Sequence, residues 1–298
     1  MAEKVFFIIN KFAGTGFEAT IEGSIINACA QLNLEGTLEY TSGKGHATRL
    51  AWQAVDAGYS RVFAMGGDGT VNEVAQGLVH TKTAMGIIPA GSGNGLARHL
   101  QIPLKFGDAL SLMDQFQIID MDTLLVNERL SINVSGIGFD GHIADKFAKN
   151  GRRGLAGYTS LVVKEFRKFR EFEVQAMLDH EPWHQKAFII AIANSSQFGN
   201  NARVAPFASV CDGLMDICFI HKVPFTHMVG FLSKMFFGRI VNSNFVEMKK
   251  CTHFTASFPK PAPYHIDGES QPPLQQFVVT MQPRSLKMIV PAITKTAI

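Results

Sequence analysis

The sequence predicts an α/β chain in two halves: a parallel sheet covered by helices over residues 1–122, then a mostly antiparallel β half with few helices over residues 123–298. Three observations predict it. Short apolar runs alternate with helical-period segments through the first half, which is the rhythm of a parallel sheet buried on both faces. Several of those runs end in Gly-rich turns. Beyond Asp122 the helical period gives way to strand-like runs that follow one another.

In order, residues 5–9 read as a buried first strand, and Asn10-Lys11-Phe12-Ala13-Gly14-Thr15-Gly16 as a Gly-rich loop. A helix follows over 17–32, with Ile21, Ile25, Cys29 and Leu32 on its inner face. Residues 34–40 form a second strand, Thr41-Ser42-Gly43-Lys44-Gly45 a turn, and 46–57 a helix. Residues 61–65 and 85–88 are two more strands, and 106–116 a helix carrying Ala109, Leu110 and Met113. Right-handed crossovers bring the four loops to one edge of such a sheet. In the second half, 118–126 and 130–134 read as a hairpin and 135–141 as a Gly-rich bend. A helix is expected after Arg152-Arg153-Gly154, and strands at 172–178, 185–193, 213–220, 277–281 and 284–290. Residues 224–241 are the helical exception. Pro224 stands where a helix starts, and Met228, Phe231, Leu232, Met235 and Phe236 form an apolar stripe expected in the core, with a lipid site as the alternative.

Two loops carry chemistry. Met65-Gly66-Gly67-Asp68-Gly69-Thr70 sits on a strand-to-helix turn, with Val71, Val74, Ala75 and Leu78 on one face of the helix. Glycines there permit positive φ and let backbone N–H groups approach a ligand closely. The positive end of the helix suits a phosphate. Asp68 beside phosphates suits a magnesium ion. Taken alone, the motif is also compatible with a Gly turn and an Asp cap. Gly91-Ser92-Gly93-Asn94 repeats the arrangement after the next strand, so the pair reads as one concave phosphate site.

Composition bounds the partners. The chain has 298 residues, a net charge of +3, and enough apolar residues for a large core. That mild basicity suits anionic substrates or a membrane surface and gives no argument for nucleic acid. Cys29, Cys211, Cys218 and Cys251 lack metal or disulfide spacing and read as reduced core thiols. The first apolar run is too short for a secretory leader, and no run approaches a membrane span. More than half of the 24 phenylalanines lie in the second half, as core or as the lining of an apolar cleft.

These motifs carry a resemblance. The chain resembles, along nearly its whole length, the diacylglycerol-kinase-like lipid kinases, the group that holds soluble bacterial diacylglycerol kinases and sphingosine and ceramide kinases. Residues 10–16 are similar to the family's first nucleotide loop, with Lys11 in place of the usual proline. Thr41 and Gly45-His46-Ala47 fit the second loop. Gly66-Gly67-Asp68-Gly69-Thr70 with Asn72-Glu73 is the family signature, and Gly91-Ser92-Gly93-Asn94 the next loop. Gly138-Phe139-Asp140, Arg153-Gly154-Leu155, Asp212-Gly213-Leu214-Met215-Asp216 and Asp267-Gly268-Glu269 complete the set.

The resemblance implies a nucleotide domain of phosphofructokinase and NAD-kinase type, a β-sandwich-like lipid domain, and ATP in the cleft between them. It implies transfer of the ATP γ-phosphoryl group to a lipid hydroxyl, with Mg2+ as cofactor. Nucleotide contacts fall on Asn10, Lys11, Gly14, Thr41, Gly66, Gly67, Asp68, Gly69, Thr70, Asn72, Glu73, Gly91, Ser92, Gly93 and Asn94. Glu269 becomes the general base, with Asp267 its partner and Asp68 at the magnesium. A structural magnesium takes Asp212 and the carbonyls of Ser209 and Leu214. His46 is expected to be structural or near phosphate, and Lys44 and Arg98 solvated or near phosphate. His221, His227, His253 and His265 have no metal spacing.

The favoured acceptor is diacylglycerol or a related glycerolipid, with a sphingoid lipid as the other candidate. The alternatives are an NAD kinase, which shares the Gly-Gly-Asp-Gly turn, and a non-catalytic lipid- or nucleotide-binding regulator. Retention of Asp68, Asp267 and Glu269 together speaks against the regulator. The expected setting is cytoplasmic, peripheral at the inner membrane surface. Homodimers occur in the family.

Overall fold

The structure is a computed structural model that describes residues 2–14, 20–150 and 155–292. Thr15, Gly16 and Phe17 of the first loop and helix, and Arg152, Arg153 and Gly154, lie outside the described residues. The chain forms two compact units: Met1–Thr123 with Val210–Asp212 and Pro283–Ile298, and Leu124–Ser209 with Gly213–Gln282.

The first unit alternates β1 (Glu3–Ile9), α1 (Thr20–Gln31), β2 (Leu34–Tyr40), α2 (His46–Asp56), β3 (Arg61–Gly66), α3 (Asp68–Leu78), β4 (Ala84–Pro89), α4 (Gly95–His99) and α5 (Phe106–Ala109). β1 pairs in parallel with β2 and β3, and β3 with β4. All six residues of β3 and of β4 are buried, as continuous apolar strands in the middle of a parallel sheet require. β2 is the edge strand and keeps Glu35, Gly36 and Glu39 exposed. The order β2-β1-β3-β4 reverses direction between β1 and β3, so the loops after these two strands diverge from a switch point at the carboxyl edge. Phe7 and Phe63 stack beneath it, 5.3 Å apart. Gly77 of α3 lets α2 approach: a Cβ there would sit 2.5 Å from that of Ala51 and 2.8 Å from the Thr48 carbonyl oxygen.

The end of the chain belongs to this unit rather than to the β-rich half. Met288 pairs in parallel with Met85 of β4, and Leu286, Met288, Ile289 and Val290 are buried. A strand this apolar is a core strand, and β4 offers it an unpaired side. The expected helix over 106–116 shrinks to α5 and a 3-10 turn, Leu110–Met113.

The second unit is built from the last residues of β5 (Phe116–Val126), then β6 (Arg129–Ser131), β7 (Val134–Gly138), α6 (Phe139–Asn150), α7 (Leu155–Lys168), β8 (Phe172–Leu178), β9 (Glu181–Ala187), β10 (Ile189–Ala193), β11 (Met215–Ile220), α8 (Met228–Phe236), β12 (Val246–Cys251), β13 (His253–Ile266) and the first part of β14 (Glu269–Pro291). The order β12-β11-β10-β7-β13-β14 is antiparallel throughout, and β8 and β9 form a hairpin on β13. Trp183 and Phe219 stack 3.7 Å apart in its main core, with Phe254 and Phe277 also fully buried there. Phe139 of α6 meets Phe166, Phe169 and Phe188 in a second cluster. Many of the phenylalanines are therefore core.

Three sequence expectations change here. The bend at 135–141 is a strand that passes through Gly138, at φ +107°, into α6, a helix absent from the expectation. Residues 224–241 are broken into a 3-10 turn (Phe225–His227), α8, and a second 3-10 turn (Ile240–Asn242). Gly238, at φ +68°, lies just beyond the end of α8. No residue of α8 is fully buried: Met228, Phe231 and Met235 are half-buried, with Phe231 against a core cluster, while Leu232 and Phe236 are exposed, so only part of the stripe faces inward. Cys211 is exposed, whereas the other three thiols are buried. Among the described residues no helix is long and apolar enough to cross a membrane.

Candidate functional site

The two Gly-rich turns of the first unit touch each other through their backbones. A Cβ on Gly91 would stand 2.6 Å from the Gly67 Cα, and one on Gly67 3.3 Å from the Gly91 Cα. Any larger residue at Gly91 would wedge the loops apart. Gly66, Gly67 and Gly69 all have ordinary negative or extended φ. Closeness, not the positive φ expected from sequence, is therefore what Gly67 supplies. The left-handed position is Asn94, at φ +50°, a conformation Asn tolerates. Its side chain closes the loop by accepting the Gly91 N–H at 3.0 Å and donating to the Gly91 carbonyl at 2.8 Å.

Asp68 begins α3 and binds the next loop. Its Oδ2 accepts the Asn94 N–H at 2.9 Å and its Oδ1 the Gly95 N–H at 2.7 Å. A carboxylate at two backbone donors makes strong charge-assisted bonds. Arg98 joins the same loop, with its Nε donating to the Gly93 carbonyl at 2.9 Å. The first loop joins as well. Asn10 Nδ2 donates to Thr70 Oγ1 at 2.9 Å, and Gly14, at φ +66°, lies so close to the Ala90 carbonyl that a side chain there would collide with it. Asn10, Gly14, Gly66, Gly67, Asp68, Thr70, Gly91, Gly93 and Asn94 are thus one connected set at the carboxyl edge of the sheet.

Other expected nucleotide residues have visible structural tasks. Glu73 accepts the Gly45 N–H at 2.8 Å and the Ala47 N–H at 3.2 Å, capping the start of α2. It ties the second loop to α3, a favourable place for a carboxylate. Asn72 accepts from Gln76 one turn along α3. The Thr41 N–H donates to the Ile9 carbonyl at 2.9 Å. Lys11 lies 3.6 Å over the Tyr40 ring and 3.8 Å from Glu22. Partial burial and a hydrogen bond to Glu22 push the Tyr40 hydroxyl up to about 12. Ser92 is exposed. His46 receives the Ser42 N–H at 3.0 Å, a structural role at the start of its helix.

In the second unit, Asp267-Gly268 is the two-residue turn between β13 and β14, with φ of +48° and +88° and Ile266 opposite Glu269. Asp-Gly is the preferred pair for such a type I′ hairpin. Asp267 is buried all the same. It accepts from Ser131 Oγ at 2.7 Å, the Ile132 N–H at 2.8 Å and the Asn133 N–H at 3.1 Å. Asn133 in turn accepts from Ser195, and Asn194 donates to the Ile132 carbonyl at 3.1 Å. Glu269, two residues on from Asp267, is exposed.

Sequence reading left His265 unassigned, yet it underlies this turn. Its Nδ1 accepts the Gly268 N–H at 3.0 Å, so the neutral ring carries its proton on Nε2, which lies 3.4 Å from Asp140 Oδ2. Asp140 Oδ2 is buried and, among the described residues, has no hydrogen-bond partner, so the His265 ring is its polar neighbour. The one sequence signal for the pair was Asp140, in Gly138-Phe139-Asp140. Gly136 fits beneath them, since a Cβ there would overlap Asp140 Oδ2 and lie 2.8 Å from His265 Nε2. Asp212 is exposed, next to Gly213 at φ +73°, and is grouped with the first unit. Among the described residues no three His, Cys, Asp or Glu side chains converge as metal ligands.

The first unit is thus a parallel sheet whose Gly-rich loops lock together through an aspartate at a helix start, the arrangement expected of the diacylglycerol-kinase-like class. Comparison agrees: the family profile described as "Diacylglycerol kinase catalytic domain" matches residues 4–126, and "YegS C-terminal NAD kinase beta sandwich-like domain" matches 133–290. The chain belongs to this family, the diacylglycerol-kinase and YegS lipid kinases. It is 30% identical over 182 residues to "Probable lipid kinase YegS-like" of Chromohalobacter salexigens, which covers 59% of this chain and 58% of that protein. It is 27% identical over 246 residues to the protein of the same name from Pectobacterium atrosepticum, covering 80% and 79%. The chain thus spans just under three fifths of the first of these relatives. Its fold matches that of a crystal structure titled as a diacylglycerol kinase from Bacillus anthracis, with a TM-score of 0.76, 21% identity and 97% of each chain covered.

Proposed function

We propose that this chain transfers the γ-phosphoryl group of ATP to the hydroxyl of a membrane lipid, diacylglycerol or a related glycerolipid. The observation that carries this reading is the interlocked pair of Gly-rich turns. Without Cβ atoms at Gly67 and Gly91, the two backbones meet beside the positive end of α3, an eleven-residue helix. Such a helix start receives phosphate oxygens on backbone N–H groups.

The residues fit a magnesium ion as well. Asp68 stands at the start of α3 beside both Gly-rich turns, and a carboxylate is the hard oxygen donor that magnesium prefers. When bound, the ion neutralises charge on the phosphates. A second, structural ion takes the Asp212 carboxylate with the carbonyls of Ser209 and Leu214, donors of the hard oxygen type that magnesium prefers.

Glu269 is the general base of this reading. It is exposed at the first position of β14, whereas Asp267 is held by three hydrogen bonds. The lipid oxygen forms a bond to the γ-phosphorus as the bond to the bridging oxygen of ADP breaks, and the hydroxyl proton passes to Glu269. Asp267 and His265 hold the turn that carries the base. The acceptor favours action from the cytoplasm at the inner membrane surface, by peripheral contact.

The test is transfer of labelled γ-phosphate from ATP with magnesium across a total lipid extract, with NAD as a parallel acceptor. Label in a lipid that migrates as phosphatidic acid is the expected result. Label in NAD alone, or in no acceptor, overturns the reading.

A further inference from the structure

We propose that the outward face of α8, with the adjoining Phe207 loop, is the surface by which this protein docks on an anionic bilayer. Val229, Leu232 and Phe236 follow one another at spacings of three and four residues, which is one side of α8, and Phe225 lies in the 3-10 turn just before it. All four are exposed, Val229 at 81%; Phe237 beside them is 75% exposed and Phe207 69%. Phe231, on the opposite side, packs against the cluster of Val204, Ala205 and Ala208. The helix is already anchored by that inner side. Its outer row therefore adds nothing to the core of this unit, and a contiguous apolar row of this kind marks an interaction surface.

Charge selects the occupant. From Ile217 to Val246 there is no acidic residue; Arg239 is exposed in the same stretch, and Lys234 donates to the Asn242 carbonyl at 2.7 Å. Arg203 is brought to the end of α8: its N–H meets the Met235 carbonyl and its side chain lies against Gly238. The Arg167 guanidinium stands 5.7 Å from the Phe225 ring. An apolar row bordered by cations is the pattern of a helix lying in the headgroup plane, with its rings in the acyl boundary and its cations on lipid phosphates. A second copy of this chain fits less well. A two-fold interface would bring the same face of each copy together, and so the same cations.

This deepens the lipid-kinase reading and rests on it only for the reason to visit a membrane. The experiment therefore has two independent arms. In the first, co-sedimentation with phosphatidylcholine vesicles, with and without phosphatidylglycerol, compares wild type with Val229→Glu/Phe236→Glu and with Arg203→Ala/Arg239→Ala. Circular dichroism and melting temperature check that each variant is folded. In the second, phosphoryl transfer is measured on a short-chain diacylglycerol below its micellar concentration.

Wild type is expected to bind the anionic vesicles, and the double glutamate variant to bind at least about tenfold more weakly. The double alanine variant should lose affinity mainly at low salt. Turnover of the monomeric acceptor should be unchanged in both. Equal vesicle binding by a folded glutamate variant overturns the docking surface and leaves the kinase reading standing. Loss of vesicle binding with no turnover of any acceptor keeps the surface and removes the kinase reading. Wild type that ignores vesicles but forms a dimer in sedimentation, abolished by the glutamate pair, assigns the face to a second copy and overturns the proposal.

Discussion

Asp68 Oδ2 accepts the backbone N–H of Asn94 at 2.9 Å, so a side chain on one Gly-rich turn sets the shape of the next. Its other oxygen takes the Gly95 N–H. The family signature thus has an architectural task that is separate from any ligand. Asp68→Asn turns one acceptor into an NH2 group that faces a backbone N–H. Losing one charge-assisted bond costs about 1.5–3 kcal/mol. A fall of several degrees in melting temperature is expected together with loss of ATP binding by calorimetry. Full nucleotide affinity in a variant of unchanged melting temperature would contradict this role.

Two substitutions test the proposed division of Asp267 as holder and Glu269 as base. Glu269→Gln is expected to lower kcat by about 10²–10⁴, with nucleotide affinity and melting temperature close to wild type. Asp267→Asn should destabilise the fold, because three donors from Ser131, Ile132 and Asn133 converge on its carboxylate. Paired thermal melts and steady-state kinetics distinguish the two. A stable Asp267→Asn with the larger kinetic defect would exchange the assignments.

For Asp212, the expected signature is thermal. Wild type should melt higher in magnesium than in chelator, and Asp212→Ala should melt at the same temperature in both. Coincident melting curves for wild type in the two buffers would remove the structural ion.

Acid should loosen the helical layer of the second unit. The hydrogen bond from His142 Nε2 to Glu165, at 2.8 Å, holds the Glu165 carboxyl below its usual 4.5. A depressed carboxyl contributes stability that is present above the unfolded value and is lost as pH falls through the folded one. The melting temperature of Glu165→Gln should therefore lie below wild type near neutrality, and the gap should close as pH drops below about 4.5. A gap that persists in acid would mean that the side chain acts by packing alone.

The Gly-rich loops were legible because their chemistry is a backbone property: at Gly67 and Gly91 only a missing Cβ allows the contact, and a missing Cβ is written in the sequence. The role of Glu73 was less so. Its place in the signature suggested a ligand, and only folding revealed that α2 presents two N–H groups to it. The network beneath Asp267 was illegible, since Ser131, Asn133, Asn194 and Ser195 meet through strand pairing and no local spacing records that. α8 misled for another reason. Apolar period identifies a helix but not which of two apolar sides is inside, and α8 has both. α6 was missed because a Gly-rich approach masked a Phe139 and Ile143 face.

The path of β14 bears on how this protein comes into being. Residues 283–291 are the last strand of the first unit, laid beside β4 after the whole second unit has been synthesised. Until then β4, buried along its length in the finished protein, has an open flank. A nascent or truncated chain that stops at the end of the first family match, residue 126, carries the Gly-rich loops of the first unit but also that uncovered apolar edge. The N-terminal segment is therefore expected to precipitate when expressed alone and to recover when residues 283–292 are supplied in trans or fused to it. The unit that holds the loops becomes complete only after the second unit has been synthesised.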